Sequence, residues 1–85
     1  MIVSFGYDTG KPLPRATKVF DVRDLTHAEH DPAFNAKRAE IADYVRAHPH
    51  ETVAIGCKKG QHRSYRLAED ISRLVRTSVH HRDRT

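Results

Sequence analysis

The residue kinds needed to hold a phosphate are crowded into one stretch, Ile55-Gly56-Cys57-Lys58-Lys59-Gly60-Gln61-His62-Arg63-Ser64. It holds the only cysteine of the chain, two lysines, a glycine, a histidine and an arginine. Gly60 can take a positive φ and bring backbone N–H groups close to an anion. A helix starting near Arg63 would add unpaired N–H groups and a partial positive charge. Arg63 can grip two anion oxygens with one guanidinium. Lys58 and Lys59 add charge, Gln61 and His62 join the set as donors, and Ser64 either caps the helix or bonds Cys57.

A second chemistry fits the same residues. Cys57, five residues, Arg63 and Ser64 match the spacing of cysteine-dependent phosphatases. There a helix N-terminus and an arginine lower the thiol pKa, and the thiolate attacks phosphorus. Arg63 would stabilise the transition state and Ser64 the departing thiolate. The reaction also needs an acid for the leaving group. Asp21, Asp24 and Asp31 are the candidates, but the sequence places none of them opposite Cys57. Gly56 stands where those enzymes carry a histidine. The plainest alternative makes Cys57 a small buried residue ending a core strand. Binding ranks ahead of catalysis, so no catalytic residue is assigned.

Either chemistry needs the loop at a junction between strand and helix, and the flanking residues supply one. Residues 52–56 form an apolar run, as expected of a central parallel strand. Over residues 63–76, Leu67, Ala68, Ile71, Leu74 and Val75 follow a helical stripe. Residues 2–7 and 18–23 are rich in β-branched and aromatic side chains and predict two strands, separated by a loop of glycine and prolines. Pro32 can open a helix over residues 33–47, with Phe34, Ile41, Tyr44, Val45 and His48 on one face and Pro49 ending it. Residues 77–81 predict a short last strand. The order β-β-α-β-α-β predicts an α/β domain of two or three layers, with a small, mainly parallel sheet of about four strands and right-handed crossovers. Ligands bind at the carboxyl ends of such strands, where Tyr7, Arg23, Cys57 and His81 are expected to meet.

Composition bounds the partners. A formal charge of +4 and a pI near 9.6 suit phosphorylated ligands, nucleic acid or an acidic protein, with plain solubility as the alternative. A single cysteine excludes an internal disulfide and fits a reducing cytoplasm. No apolar run is long enough to span a membrane, and the first residues lack the pattern of a signal peptide. Eighty-five residues make one domain with a modest core, which self-association would help to stabilise. No cofactor is expected.

Several motifs in register resemble the C-terminal domain of the RapZ family of RNase adapter proteins. They are Ser4-Phe5-Gly6-Tyr7 with Gly10-x-Pro12-Leu13, Phe20-Asp21-Val22-Arg23, Gly56-Cys57-x-x-Gly60-Gln61-His62-Arg63-Ser64 followed by Leu67-Ala68-Glu69, and Val79-x-His81-Arg82-Asp83. Together they cover almost all of residues 1–85 as a single such domain. The resemblance implies a phosphosugar ligand like glucosamine-6-phosphate, a contribution to small-RNA binding, and self-association. It places the ligand against Cys57, Lys58, Gly60, His62 and Arg63, with Arg23, either His27 or His30, and His81 contributing. This sequence departs from the family in four ways. No Gly-x-x-x-x-Gly-Lys-Ser/Thr loop of the family's nucleotide-binding domain occurs, the segment between Arg23 and Thr52 is shorter, the family's basic tail has no counterpart after Arg84-Thr85, and two lysines follow the cysteine.

Two other features read mainly as surface. Seven histidines invite a metal, but His27/His30 and His48/His50 lack cysteine or aspartate ligands at firm spacing. His80 and His81, adjacent in a strand, should face opposite ways. Arg66, Arg73 and Arg76 share a helix face that could contact a nucleic-acid backbone. Glu69 and Asp70 interrupt it, and Tyr65 is the one aromatic available for stacking.

Overall fold

A computed structural model describes residues 1–25 and 31–84. The candidates His27 and His30 lie outside the described residues. The elements are β1 (Ile2–Gly6), a short turn of 3-10 helix (Tyr7–Thr9), β2 (Lys18–Asp21), α1 (Pro32–Ala47), β3 (Val53–Cys57), α2 (Arg63–Val75) and β4 (Val79–His81). This is the expected β-β-α-β-α-β order. All pairings are parallel, and the strands run β2-β3-β1-β4 across one four-stranded sheet.

That order decides the number of layers. From β2 to β3 and from β3 to β4 the chain moves the same way across the sheet, so crossovers of one hand carry α1 and α2 onto the same face. The helices touch, and Arg38 of α1 pairs with Asp70 of α2 at 3.0 Å. The domain therefore has two layers. Ile2, Phe20, Val53 and Ile55 from the sheet share one core with Phe34, Ile41, Ala42 and Val45 of α1 and with Leu67, Ala68 and Ile71 of α2. On the opposite face Phe5 packs against Tyr7, ring centroids 4.9 Å apart. No helix among the described residues is long and apolar enough to cross a membrane.

Local chemistry accounts for the boundaries. Asp31 accepts the Ala33 N–H at 2.8 Å and Pro32 follows it, so α1 starts on a capped, prolyl first turn. Uniform burial of β1 and β3 reflects their central positions, as the apolar run over residues 52–56 predicts for β3. Several expectations shift, the second strand ending at Asp21 and the last beginning at Val79. The third strand extends to Cys57, which pairs in register with Gly6. The first ends at Gly6, so Tyr7 belongs to the turn. Leu74, expected in the stripe of α2, is 55% exposed, because it sits on the flank of that stripe in the last turn, beside Arg38 and Asp70 in a surface hollow.

Candidate functional site

The sheet ends its central strands at Gly6 and Cys57, and the 57–64 loop closes over them. The fit leaves no room for side chains. A Cβ on Gly6 would lie 2.3 Å from the Lys59 carbonyl carbon, and one on Gly60, whose φ is +74°, would lie 2.7 Å from the Gly6 nitrogen. Gly60 thus supplies the positive φ, and Gly6 the close approach that lets the loop cross β1. The Asp8 N–H donates to the Lys58 carbonyl at 2.8 Å, tying the turn after β1 to the same loop.

Inside the loop sits the sulfur. The Gly60 N–H donates to Cys57 Sγ at 3.2 Å, and Ser64 Oγ lies 3.1 Å from it. Burial pushes the thiol pKa up, but the Ser64 hydroxyl and the N–H groups of Ser64, Gly60 and His62 outweigh it and hold it below the ordinary thiol value. Of the two roles open to Ser64, the structure chooses the cysteine, and its hydroxyl also lies 3.2 Å from the Phe5 carbonyl. α2 starts at His62 without a side-chain cap. Above the sulfur is a cavity of about 280 Å³ lined by Cys57, Lys58, Lys59, Gln61, His62 and Arg63. Among the described residues no carboxylate lines it.

Arg63 is anchored before it meets any ligand. Its Nη1 donates to the carbonyls of Arg23 at 2.6 Å and Leu25 at 2.8 Å, locking the chain after β2 onto the start of α2. Its Nε is buried and has no hydrogen-bond partner among the described residues. The fork expected to grip two oxygens therefore has one branch committed to the fold. Arg23 meets Tyr7 as expected, its guanidinium 3.9 Å from the ring centroid, but it also chelates Asp21 through Nε and Nη2. That hydrogen bonding holds the Asp21 carboxyl below its ordinary pKa, so Asp21 is poorly suited to donate a proton. At Gly56 the Phe5 ring already stands 2.4 Å from where a Cβ would be, so the histidine of the phosphatases has no space there.

His81 is placed elsewhere. It pairs in register with Ser4, two residues short of the edge, and its ring lies beside Tyr65 at 4.4 Å. Its Nδ1 is 2.6 Å from Ser4 Oγ and its Nε2 2.9 Å from Glu69 Oε2. Serine, histidine and glutamate in a row have a hydrolase's composition, but Ser4 is wholly buried, so no substrate reaches it. The row instead joins β1, β4 and α2, and the histidine hydrogen bond lowers the Glu69 pKa. His80, on the opposite side of the strand, is exposed.

Asp83 carries more than the sequence suggested. It is 8% exposed, accepts the Gly6 N–H at 2.7 Å and pairs with Lys11 at 3.0 Å and Arg82 at 2.9 Å. Burial raises its pKa, and these bonds more than reverse that, to about 2. Gln61 donates to its carbonyl at 2.9 Å, so the knot grips the loop from below. The charge-rich Arg82-Asp83 pair next to a strand end was the available signal.

A larger cavity of about 450 Å³ runs from Gln61, His62 and Arg63 along the outer side of α2 past Arg66 and Arg73. Arg84 lies over Tyr65 there, its guanidinium 3.5 Å from the ring centroid. Arg76, expected on the same face, lines a separate hollow with Val45, Pro49 and Thr77. Arg82 turns away, toward Asp83 and the Pro12 carbonyl.

The chain is similar to proteins described as "Nucleotide-binding protein". One from Dechloromonas aromatica is 33% identical over 115 residues, taking in 96% of this chain and 41% of that protein. One from Moorella thermoacetica is 33% identical over 116 residues, 96% and 38%. One from Rubrobacter xylanophilus is 30% identical over 103 residues, 87% and 33%. The chain thus spans well under half the length of these relatives. Each alignment is longer than the chain, so the relatives carry insertions within the matched region. No protein-family model matches the chain.

Proposed function

We propose that this chain is a ligand-binding regulatory module of the RapZ-like kind, a single domain whose 57–64 loop holds the phosphate of a sugar phosphate such as glucosamine-6-phosphate. The observation that carries the reading is the buried Nε of Arg63, without a hydrogen-bond partner among the described residues, beside a cavity whose described lining includes Lys58, Lys59 and His62 and no carboxylate. A buried N–H left unpaired costs about 1–3 kcal/mol, which a ligand oxygen would recover. The motifs that run in register along the chain, and relatives about 30% identical over nearly all of it, support the same reading. Arg23 joins the site by carrying the carbonyl that anchors Arg63.

The relatives' description raises a nucleotide as ligand. A base would need a ring to stack on. Tyr65, the aromatic with partial exposure in the α2 groove, has Arg84 and His81 against it, and this chain has no Gly-x-x-x-x-Gly-Lys-Ser/Thr loop. A sugar needs neither. Calorimetry on the 85-residue chain with glucosamine-6-phosphate, glucosamine and adenosine monophosphate decides between them. Binding of the sugar phosphate alone, lost in Arg63→Ala, is the expected result. Binding of the mononucleotide but not of the sugar phosphate overturns it. RNA binding as an adapter and self-association are carried from the resemblance; a gel shift that weakens as salt is added would identify phosphate contacts.

One observation favours a second reading, a cysteine-dependent phosphatase: the N–H groups and the Ser64 hydroxyl aimed at Cys57 favour a thiolate. It ranks second because Asp21 is held ionised by Arg23 and Asp31 is engaged in capping α1. An aryl phosphate, whose leaving group needs no acid, tests it. Turnover lost in Cys57→Ser would establish the enzyme, and no turnover above background would remove it.

A further inference from the structure

We infer, resting on the phosphate-loop reading, that the Cys57 thiolate and the ligand phosphate compete for one set of donors, so that the thiol proton gates the site. With the proton on, the loop accepts the phosphate; with it off, the loop is filled by its own sulfur. The donors already point that way. The Gly60 N–H donates to Sγ at 3.2 Å, and Ser64 Oγ lies 3.1 Å from it. The sulfur belongs to a residue 2% exposed that lines the cavity of about 280 Å³. An anion entering past Lys58, Lys59 and Arg63 is brought against it.

The loop has no slack with which to serve two anions separately. A Cβ on Gly6 would lie 2.3 Å from the Lys59 carbonyl carbon, and one on Gly60 2.7 Å from the Gly6 nitrogen, so the backbone is seated on β1. The Asp8 N–H holds the Lys58 carbonyl at 2.8 Å, and the Gln61 side chain holds the Asp83 carbonyl at 2.9 Å. The donors therefore stay in place, and two anions must contend for them. Two unit charges about 4 Å apart near a protein surface repel strongly enough to shift binding by well over tenfold. Burial pushes the thiol pKa up, but the Ser64 hydroxyl and the N–H groups of Ser64, Gly60 and His62 bring it below the ordinary value, which moves the competition toward neutral pH.

Among the described residues, the charged groups lining the cavity with Cys57 are Lys58, Lys59, His62 and Arg63. From β1 come only the uncharged Gly6, in register with Cys57, and the Phe5 carbonyl, which accepts from Ser64. The turn after β1 brings Asp8 and Tyr7, with Arg23 over the Tyr7 ring and paired to Asp21. Farther along α2, Arg66 and Glu69 line the adjoining groove, and the Arg82–Asp83 pair lies behind Gln61. All of these are common to the parent chain and to a Cys57 variant, so a ratio of the two affinities cancels their titration and that of the ligand.

Calorimetry with glucosamine-6-phosphate on the 85-residue chain and on Cys57→Ala, at one ionic strength from about pH 5.5 to about pH 9, tests the gate. The ratio of affinities should move by about tenfold or more in favour of Cys57→Ala as the pH rises, within the limit of about tenfold per pH unit set by one proton. Should Cys57→Ala fail to fold, the parent chain alone decides. It has one cysteine and no tryptophan, so ultraviolet thiolate absorbance follows Cys57. Coupling is reciprocal, so saturating sugar phosphate should raise the midpoint of that titration by about one pH unit. A level ratio, a midpoint unmoved by the ligand, or a folded Cys57→Ala that no longer binds overturns the inference and leaves the loop reading in place. Phosphate release that rises with the thiolate also overturns it, by making the sulfur an attacking group. Binding by neither protein at any pH sinks the loop reading with it.

Discussion

Two clusters of positive charge sit at the same edge of this sheet and differ in what they close upon. Around Asp83, the Gly6 N–H, Lys11 and Arg82 converge on a carboxylate that the chain supplies itself. In the 57–64 loop, Lys58, Lys59, His62 and Arg63 line a cavity in which the described residues place no carboxylate and the Cys57 sulfur accepts from the Gly60 N–H. The clusters share β1 and Gln61, so they have the same scaffold. Cationic density therefore does not mark a binding site. On the proposed reading a site appears where donors gather and the described residues supply no anion, and the Asp83 knot is tied to that loop through Gln61.

The contrast can be broken most severely at the knot. Asp83→Ala leaves Arg82 and the Gly6 N–H without their partner in a nearly buried setting, and should cost about 3 kcal/mol or more, read in urea unfolding. Loss of less than about 1 kcal/mol would mean that the knot is ornamental. Next is Arg63→Ala, where sugar-phosphate affinity should fall about a hundredfold, on the order of 3 kcal/mol, with a smaller loss of stability from the freed carbonyls of Arg23 and Leu25. An unchanged affinity would empty the loop of its role. Gly60→Ala forces a Cβ to within 2.7 Å of the Gly6 nitrogen at φ +74°, and should cost about 2 kcal/mol and weaken binding in the same titration.

Acid sharpens the comparison without mutation. The folded pKa of Asp83, about 2, lies below its ordinary 3.8, so its contribution is present above about pH 4 and is lost as the pH falls toward 2. That loss is on the order of 2 kcal/mol in thermal melts and should vanish in Asp83→Asn. The smallest effect belongs to Arg23→Ala. Its side chain is committed to Asp21 and Tyr7 while its carbonyl does the anchoring, so affinity should change by less than about threefold. A larger loss would return the guanidinium to the ligand.

Much of this architecture was legible residue by residue. The apolar run before Gly56 announced a central parallel strand, and the helical stripe from Leu67 to Ile71 announced the helix behind the loop, because both patterns depend on periodicity within one segment. Pro32 and Pro49 marked the ends of α1 for an equally local reason. Leu74 was misplaced because it sits on the flank of the stripe, where the neighbouring surface is Arg38 and Asp70, while Val75 one residue on still packs against the core.

By itself, then, the sequence determined the element order, the parallel sheet and the residue kinds of the 57–64 loop, since propensity, periodicity and the need for a positive φ at Gly60 act over a few neighbours. Only the tertiary structure decided which of the candidate side chains are spent on bonds within the fold. His81 went to Ser4 and Glu69, Arg23 to Asp21 and Tyr7, and one branch of Arg63 to two carbonyls of the chain after β2. Apart from the local Arg23–Asp21 pair, those choices depend on partners more than ten residues away, and a hydrogen bond made within the fold removes a donor that spacing alone would have left for a ligand.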